Sequence, residues 1–154
     1  ENMAMAADME VRASSTATTG AYSSACQRGL PAILMERGGG GRFTYSEVQA
    51  YKQDVKNIMI RMGLLSGEEI HTVQQKNVTR AEYLEAETDG LWYPVFSAGD
   101  TFAGGEVLGT VRDIWGNLLR EYRADYPGIV LYQTVSLGVK AGDPLIAYGE
   151  YADR

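Results

Sequence analysis

PAILMERGGGGRFT, residues 31–44, is the stretch that decides how the first half of this chain is read. Ala32–Met35 is a brief apolar run, of the kind that forms a strand buried on both faces. It ends in a carboxylate, Glu36, followed by Arg37, the four glycines 38–41 and Arg42. Glycine contributes no packing and costs backbone entropy, so this run marks backbone that must approach something closely. Upstream, AYSSACQRG (21–29) predicts a short helix stopped by Gly29, with Pro31 just beyond. Downstream, TYSEVQAYKQDVKNIMIRMGLL (44–65) predicts a long one. Thr44 is its N-cap and Glu47 completes a capping box. Val48, Tyr51, Val55, Ile58, Met59 and Met62 fall on one apolar stripe, which Gly63 ends. Packing on the chain's own sheet is the expected use of that stripe. Residues 1–66 therefore read as α/β.

From about residue 67 helical periodicity stops. IHTVQQ, LWYPVF, EVLGTVRDI, GIVLYQTV and PLIAYGEY are short β-like runs separated by glycine turns, the pattern of an all-β sandwich or small barrel over residues 67–154. An internal echo runs through this half. SAGDTFAGGEVLG (97–109) resembles GVKAGDPLIAYGE (138–150), each with Ala-Gly-Asp before an apolar strand. Ala-Gly-Asp suits a tight turn, with glycine at positive φ and aspartate bonding nearby backbone. The echo suggests two quasi-equivalent halves of one β-domain.

Composition excludes several classes of function. The net charge of −6 and the absence of a basic stripe speak against nucleic acid as a partner. No apolar run reaches the roughly 20 residues that span a bilayer, so no membrane role is expected. Nor does the start, ENMAMAADMEV, have the basic and apolar regions of a signal peptide. Cys26 is the only cysteine, which rules out an internal disulfide and fits a reducing, cytoplasmic setting. It reads as a small apolar filler on a helix rather than a reactive thiol. His71 is the only histidine and reads as a surface or turn residue. One histidine excludes a two-histidine metal site within these residues, and a catalytic zinc needs three protein ligands.

GLPAILMERGGGGR (29–42) and GLWYPVFSAGDTFAGGEVLGTVRDIWGNLLREYRADYPGIVLYQTVSLGVKAGDPLIAYGE (90–150) together resemble the C-terminal portion of a succinylglutamate desuccinylase/aspartoacylase family protein. The resemblance implies the C-terminal fragment of a zinc-carboxypeptidase-like α/β domain followed by a small β-sandwich/barrel, lipoyl-like domain. It implies a zinc-dependent deacylase acting on the amide bond of an N-acyl amino acid or related small molecule. In that family a glutamate at this strand end is the general base on zinc-bound water, a role that falls on Glu36, with a structural salt bridge to Arg37 or Arg42 as the alternative. A positioned carboxylate can take the water's proton and pass it to the leaving amine.

The family's zinc ligands lie upstream of this glutamate, where this sequence has no histidine. No metal ligand is therefore carried over, and zinc is expected only in a full-length parent. The 154-residue chain alone is expected to be inactive. An N-terminal segment is lost, left out or present as a separate chain, and association with it or homo-oligomerisation stays open. Aspartoacylases proper place a substrate-holding arginine where this sequence has Cys26, which speaks against N-acetylaspartate. Arg37 and Arg42 flank the glycines and are candidates to grip an anionic substrate, with solvated surface residues as the alternative.

The β-domain's Gly-Asp spacing also resembles lipoyl and biotinyl carrier domains. These need a lysine for the cofactor, and no lysine occurs between Lys76 and Lys140. A non-catalytic interaction or assembly module remains the rival reading. Trp92, Tyr93, Trp115, Tyr122, Tyr126 and Tyr132 would be its aromatic face, with sheet packing the commoner use of such residues.

Overall fold

The structure, a computed structural model, describes residues 2–151. The chain divides between Lys76 and Asn77 into two compact units. The first holds helix α1 (Asn2–Ala6), strand β1 (Val11–Ala13), helix α2 (Ala21–Gln27) and helix α3 (Tyr45–Arg61). The second is built from strands β2 (Lys76–Glu85), β3 (Gly90–Pro94), β4 (Thr101–Phe102), β5 (Val107–Arg112), β6 (Leu118–Arg123), β7 (Gly128–Gln133), β8 (Gly138–Val139) and β9 (Pro144–Tyr151). The fold is thus mixed α/β. No helix among the described residues is long and apolar enough to cross a membrane.

Local chemistry sets the helix ends. Gly29 takes φ 77°, and the Leu30 amide donates to the Ala25 carbonyl at 3.0 Å, closing α2. The capping box at α3 is complete. Thr44 Oγ1 accepts the Glu47 amide at 3.2 Å, and Glu47 Oε2 accepts the Thr44 amide at 2.6 Å. Gly63, at φ 73°, ends the helix.

Two features of the first unit differ from the sequence reading. Ala32–Met35 forms no strand, because among the described residues no neighbouring strand pairs with it. Its side chains still alternate as a strand's would. Ile33, Met35 and Arg37 are partly covered, while Leu34 and Glu36 are exposed. Second, α3 buries polar groups. Asp54, Asn57 and Ile58 are its buried residues, whereas Val55, Met59 and Met62 of the apolar stripe are exposed. Among the described residues no sheet of the first unit covers that stripe, and the buried apolar side chains of this unit are Ala6, Ala7 and Ile58, a very small core.

The first unit extends past the change of periodicity near residue 67. Asn57 Nδ2 donates to the Ile70 carbonyl at 2.7 Å, and Asn57 Oδ1 accepts the Ile70 amide at 3.1 Å. The Asp8 carboxylate accepts the amides of Thr72 (2.7 Å) and Val73 (3.1 Å). The run IHTVQQ, expected as β-like, forms no strand, and the backbone of Ile70, Thr72 and Val73 bonds to side chains instead.

In the second unit, β2, β9, β7 and β4 lie side by side in that order, as do β6, β5, β3 and β8. The pairings are antiparallel. Side chains from both sheets meet in one core that includes Trp92, Leu108, Val111, Val130, Leu145 and Tyr148. Gly109 lets the Trp92 ring lie flat on the neighbouring strand. A Cβ there would stand 2.2 Å from Trp92 Cη2. Trp92 also meets Tyr122 edge-on, with ring centroids 5.8 Å apart.

The internal echo is realised as two matching turns. Asp100 accepts the Ser97 amide and Asp143 the Lys140 amide, both at 2.8 Å. Gly99 and Gly142 take φ 90° and 88°. Gly99 donates to Val130 and Gly142 to Ala86, again both at 2.8 Å. The two turns are thus held by the same set of bonds, one to Val130 of β7 and one to Ala86 just past β2.

Candidate functional site

Glu36 is exposed, and among the described residues it takes part in no hydrogen bond or ion pair. The pairings with Arg37 or Arg42 that its neighbours suggest are not made. Its charge is felt at Tyr22 on α2. That phenol is held below its ordinary pKa, chiefly by its hydrogen bond with Ser15, and the Glu36 charge works against the shift.

Arg37 points the other way and is engaged through Nε and Nη2. Its Nε donates to Asp54 Oδ2 at 2.7 Å, and its Nη2 to Asp54 Oδ1 at 3.0 Å and to the Asp8 carbonyl at 2.7 Å. The guanidinium also lies 6.0 Å from the centre of the Tyr51 ring. Asp54 raises the Arg37 pKa further. Asp54 Oδ1 accepts the Asp8 amide too, at 2.7 Å. One turn of chain earlier, the Tyr51 hydroxyl donates to the Met35 carbonyl at 2.9 Å. Asp54 and Asp8 were not singled out from the sequence. The available signal was Asp54 and Asn57, three residues apart and flanking the Tyr51–Ile58 edge of the apolar stripe of α3.

Arg42 is exposed and its side chain forms no ion pair among the described residues. It lines an open depression with Gly39, Phe43, Thr44 and Glu47. The glycines make a tight turn, in which the Arg42 amide donates to the Gly39 carbonyl at 3.2 Å. Gly38, Gly40 and Gly41 take φ 73°, 62° and 68°. Conformation is what requires glycine at Gly41, since a Cβ built there or at Gly39 meets nothing within 4 Å. A second depression, mostly apolar and about 360 Å³, is lined by Val48, Tyr51, Lys52 and Val55 on the uncovered side of α3.

Cys26, expected as a small apolar filler, is exposed. Its thiol lies 3.4 Å from the Ala32 carbonyl. His71 Nε2 lies 2.9 Å from Glu69 Oε2, and Glu69 is also gripped by Arg61. Among the described residues no group of three or more His, Cys, Asp or Glu could hold a metal ion. These residues therefore do not fit a zinc centre of their own.

Of the aromatics considered as a binding face, Trp92, Tyr122 and Tyr126 are buried in the β-core. Trp115 is 83% exposed at the β5–β6 turn, which Asp113 fixes by accepting the amides of Trp115 (2.8 Å) and Asn117 (2.9 Å).

No protein-family model and no curated protein matches the sequence. Solved structures do. The chain is similar to the product-bound ectoine utilization protein EutE (DoeB) from Ruegeria pomeroyi, with 26% identity and a TM-score of 0.82, over 95% of this chain and 47% of that one. It shares its fold with a succinylglutamate desuccinylase/aspartoacylase from Rhodobacter sphaeroides (22% identity, TM-score 0.77, 97% of this chain and 48% of that one). It does so too with an aspartoacylase family protein from Mesorhizobium loti (22% identity, TM-score 0.74, 99% and 47%). The chain thus spans about half the length of each. In structure it is the counterpart of about half of a succinylglutamate desuccinylase/aspartoacylase family protein, which fits the C-terminal portion that its sequence resembles.

Proposed function

We propose that the chain is the C-terminal portion of a zinc-dependent deacylase that hydrolyses the amide bond of an N-acyl amino acid or related small substrate. In this reading residues 1–66 complete a zinc-carboxypeptidase-like α/β domain and the β-rich remainder is a lipoyl-like sandwich or barrel. The observation that carries it is Glu36, an exposed carboxylate without a hydrogen-bond or ion-pair partner among the described residues, beside an arginine whose Nε and Nη2 are bonded to other groups. The uncovered stripe of α3 and the unpaired run Ala32–Met35 support a first unit that is completed by further chain.

Glu36 is the general base. It takes a proton from the water whose oxygen adds to the amide carbonyl carbon. It then delivers that proton to the departing nitrogen, giving a carboxylic acid and an amine. Arg42, with its guanidinium unpaired, is available to an anionic group of the substrate. Arg37, proposed from the sequence for the same task, has its Nε and Nη2 on Asp54 and the Asp8 carbonyl. The zinc of the family belongs, in this reading, to residues outside this chain.

The test is Glu36→Gln in the full-length parent, assayed for kcat/KM on a panel of N-acyl amino acids. Loss of about 10²- to 10⁴-fold is expected, with metal content and melting temperature nearly unchanged. Near-normal activity would remove Glu36 from the chemistry.

A further inference from the structure

Glu36 makes no hydrogen bond or ion pair among the described residues, yet a general base must be held to within about 0.5 Å of its working position. The restraint has to come through its neighbours. On one side the Met35 carbonyl is fixed by the Tyr51 hydroxyl at 2.9 Å. On the other, the Arg37 guanidinium makes a fork to Asp54, at 2.7 and 3.0 Å, and a third bond to the Asp8 carbonyl at 2.7 Å. Asp54 in turn accepts the Asp8 amide. Both anchors, Tyr51 and Asp54, sit on the first long helix, α3. Side chains alternate along this segment, so pinning Met35 and Arg37 to the helix turns Glu36 to the open face.

The cost of the arrangement argues for a positional role. Asp54 has no solvent exposure, in a unit whose buried apolar side chains, among the described residues, are Ala6, Ala7 and Ile58. A buried ion pair seldom adds net stability over an apolar pair of the same size, because desolvation offsets the attraction. What a forked arginine–carboxylate pair supplies is geometry.

We propose that Arg37, clamped by Asp54 and Asp8, is the positioning residue of Glu36. The proposal rests on the reading of Glu36 as base. It assigns Arg37 to holding the base rather than to binding substrate.

The experiment is a double-mutant cycle in the full-length parent. It uses Glu36→Gln, Arg37→Gln and the pair, with Arg37→Lys and Asp54→Asn as milder variants. Arg37→Gln is expected to lower kcat by about 10²-fold, the size of a 1 Å misplacement, with KM changed less than threefold. Arg37→Lys, which keeps one bond to Asp54, should recover part of that loss. In the Glu36→Gln background Arg37→Gln should cost almost nothing more, because its effect passes through Glu36. Losses that multiply in the double variant, or a rise in KM with kcat intact, would overturn the positioning role while leaving the base in place. Near-normal activity of Glu36→Gln would instead overturn the base reading, and the proposal with it. Should Arg37→Gln fail to fold, Asp54→Asn carries the same cycle, since it leaves the Arg37 side chain present.

Discussion

Arg37 and Asp54 are joined by a fork of two hydrogen bonds, at 2.7 and 3.0 Å, yet they stand in unequal surroundings. The Asp54 side chain is wholly buried, while that of Arg37 keeps 22% of its exposure. The inequality fixes the order of two substitutions. Arg37→Ala leaves a buried carboxylate with only the Asp8 amide to stabilise it. Asp54→Ala leaves a guanidinium that can still reach water and the Asp8 carbonyl. Removing one partner of a buried pair costs about 3–5 kcal/mol. Arg37→Ala should fall in that range and Asp54→Ala below it. Urea denaturation of the full chain, followed by its helical circular dichroism, measures both. The reverse order would mean that Asp54 ionisation is not what Arg37 supports.

How much of this could be read beforehand depends on how local the cause is. The ends of α3 were legible because Thr44, Glu47 and Gly63 act within one turn of themselves. The Ala-Gly-Asp turns were legible for the same reason. Strands β2 and β6 were missed. Their outward positions carry Arg80, Glu82, Arg120 and Arg123, which mask the alternation of an exposed strand. The failure of Ala32–Met35 to form a strand has a non-local cause, since a ladder needs a neighbour that this segment does not dictate. Around Glu36, the exposed carboxylate could be read from the end of the apolar run. The engagement of Arg37 could not, because its partner is 17 residues away across the glycine turn.

Glu69 supplies a prediction in pH. Its carboxyl is pushed down to about 2 from 4.5, first by the hydrogen bonds from Arg61 and then by His71. A folded-state value below the unfolded one means stability that is fully present above about pH 4.5. It is lost as the pH falls through about 2. The Glu69 carboxyl carbon, followed by NMR during an acid titration, should show a midpoint near 2. Arg61→Gln should move that midpoint up toward 4.5. A midpoint near 4.5 in the unaltered chain would mean that the contacts are not formed in solution.

Two glycines should respond oppositely to the same change. In Gly109→Ala the new methyl would sit 2.2 Å from Trp92 Cη2 and 2.7 Å from two more atoms of its ring. Trp92 is 2% exposed and in contact with Tyr122, so the ring has nowhere to move. Overpacking of this kind costs about 1–3 kcal/mol, and more where nothing can yield. Gly39→Ala meets no atom within 4 Å and does not require positive φ. It should leave stability unchanged or raise it by under about 1 kcal/mol, through a less flexible unfolded chain. Thermal melts of the two variants separate these outcomes. Equal melting temperatures would show that Trp92 does not lie against Gly109.

The distribution of buried side chains predicts how the two units behave when separated. Every member of the β-core, from Ala86 to Tyr148, belongs to residues 77–154. That set includes the large buried side chains Trp92, Leu108, Leu145 and Tyr148. Fully burying one such side chain contributes about 1.5–3 kcal/mol. The first unit offers Ala6, Ala7 and Ile58, together with Asp54 and Asn57, whose burial is costly unless every bond is kept. Residues 77–154 expressed alone should therefore give a β-type circular dichroism spectrum and one cooperative unfolding transition. Residues 1–76 expressed alone should melt without a sharp transition and bind a hydrophobic dye through the exposed stripe of Val55, Met59 and Met62. A cooperative melt for residues 1–76 would mean that their hydrogen-bonded polar core suffices. A disordered fragment 77–154 would mean that the β-core depends on chain outside it.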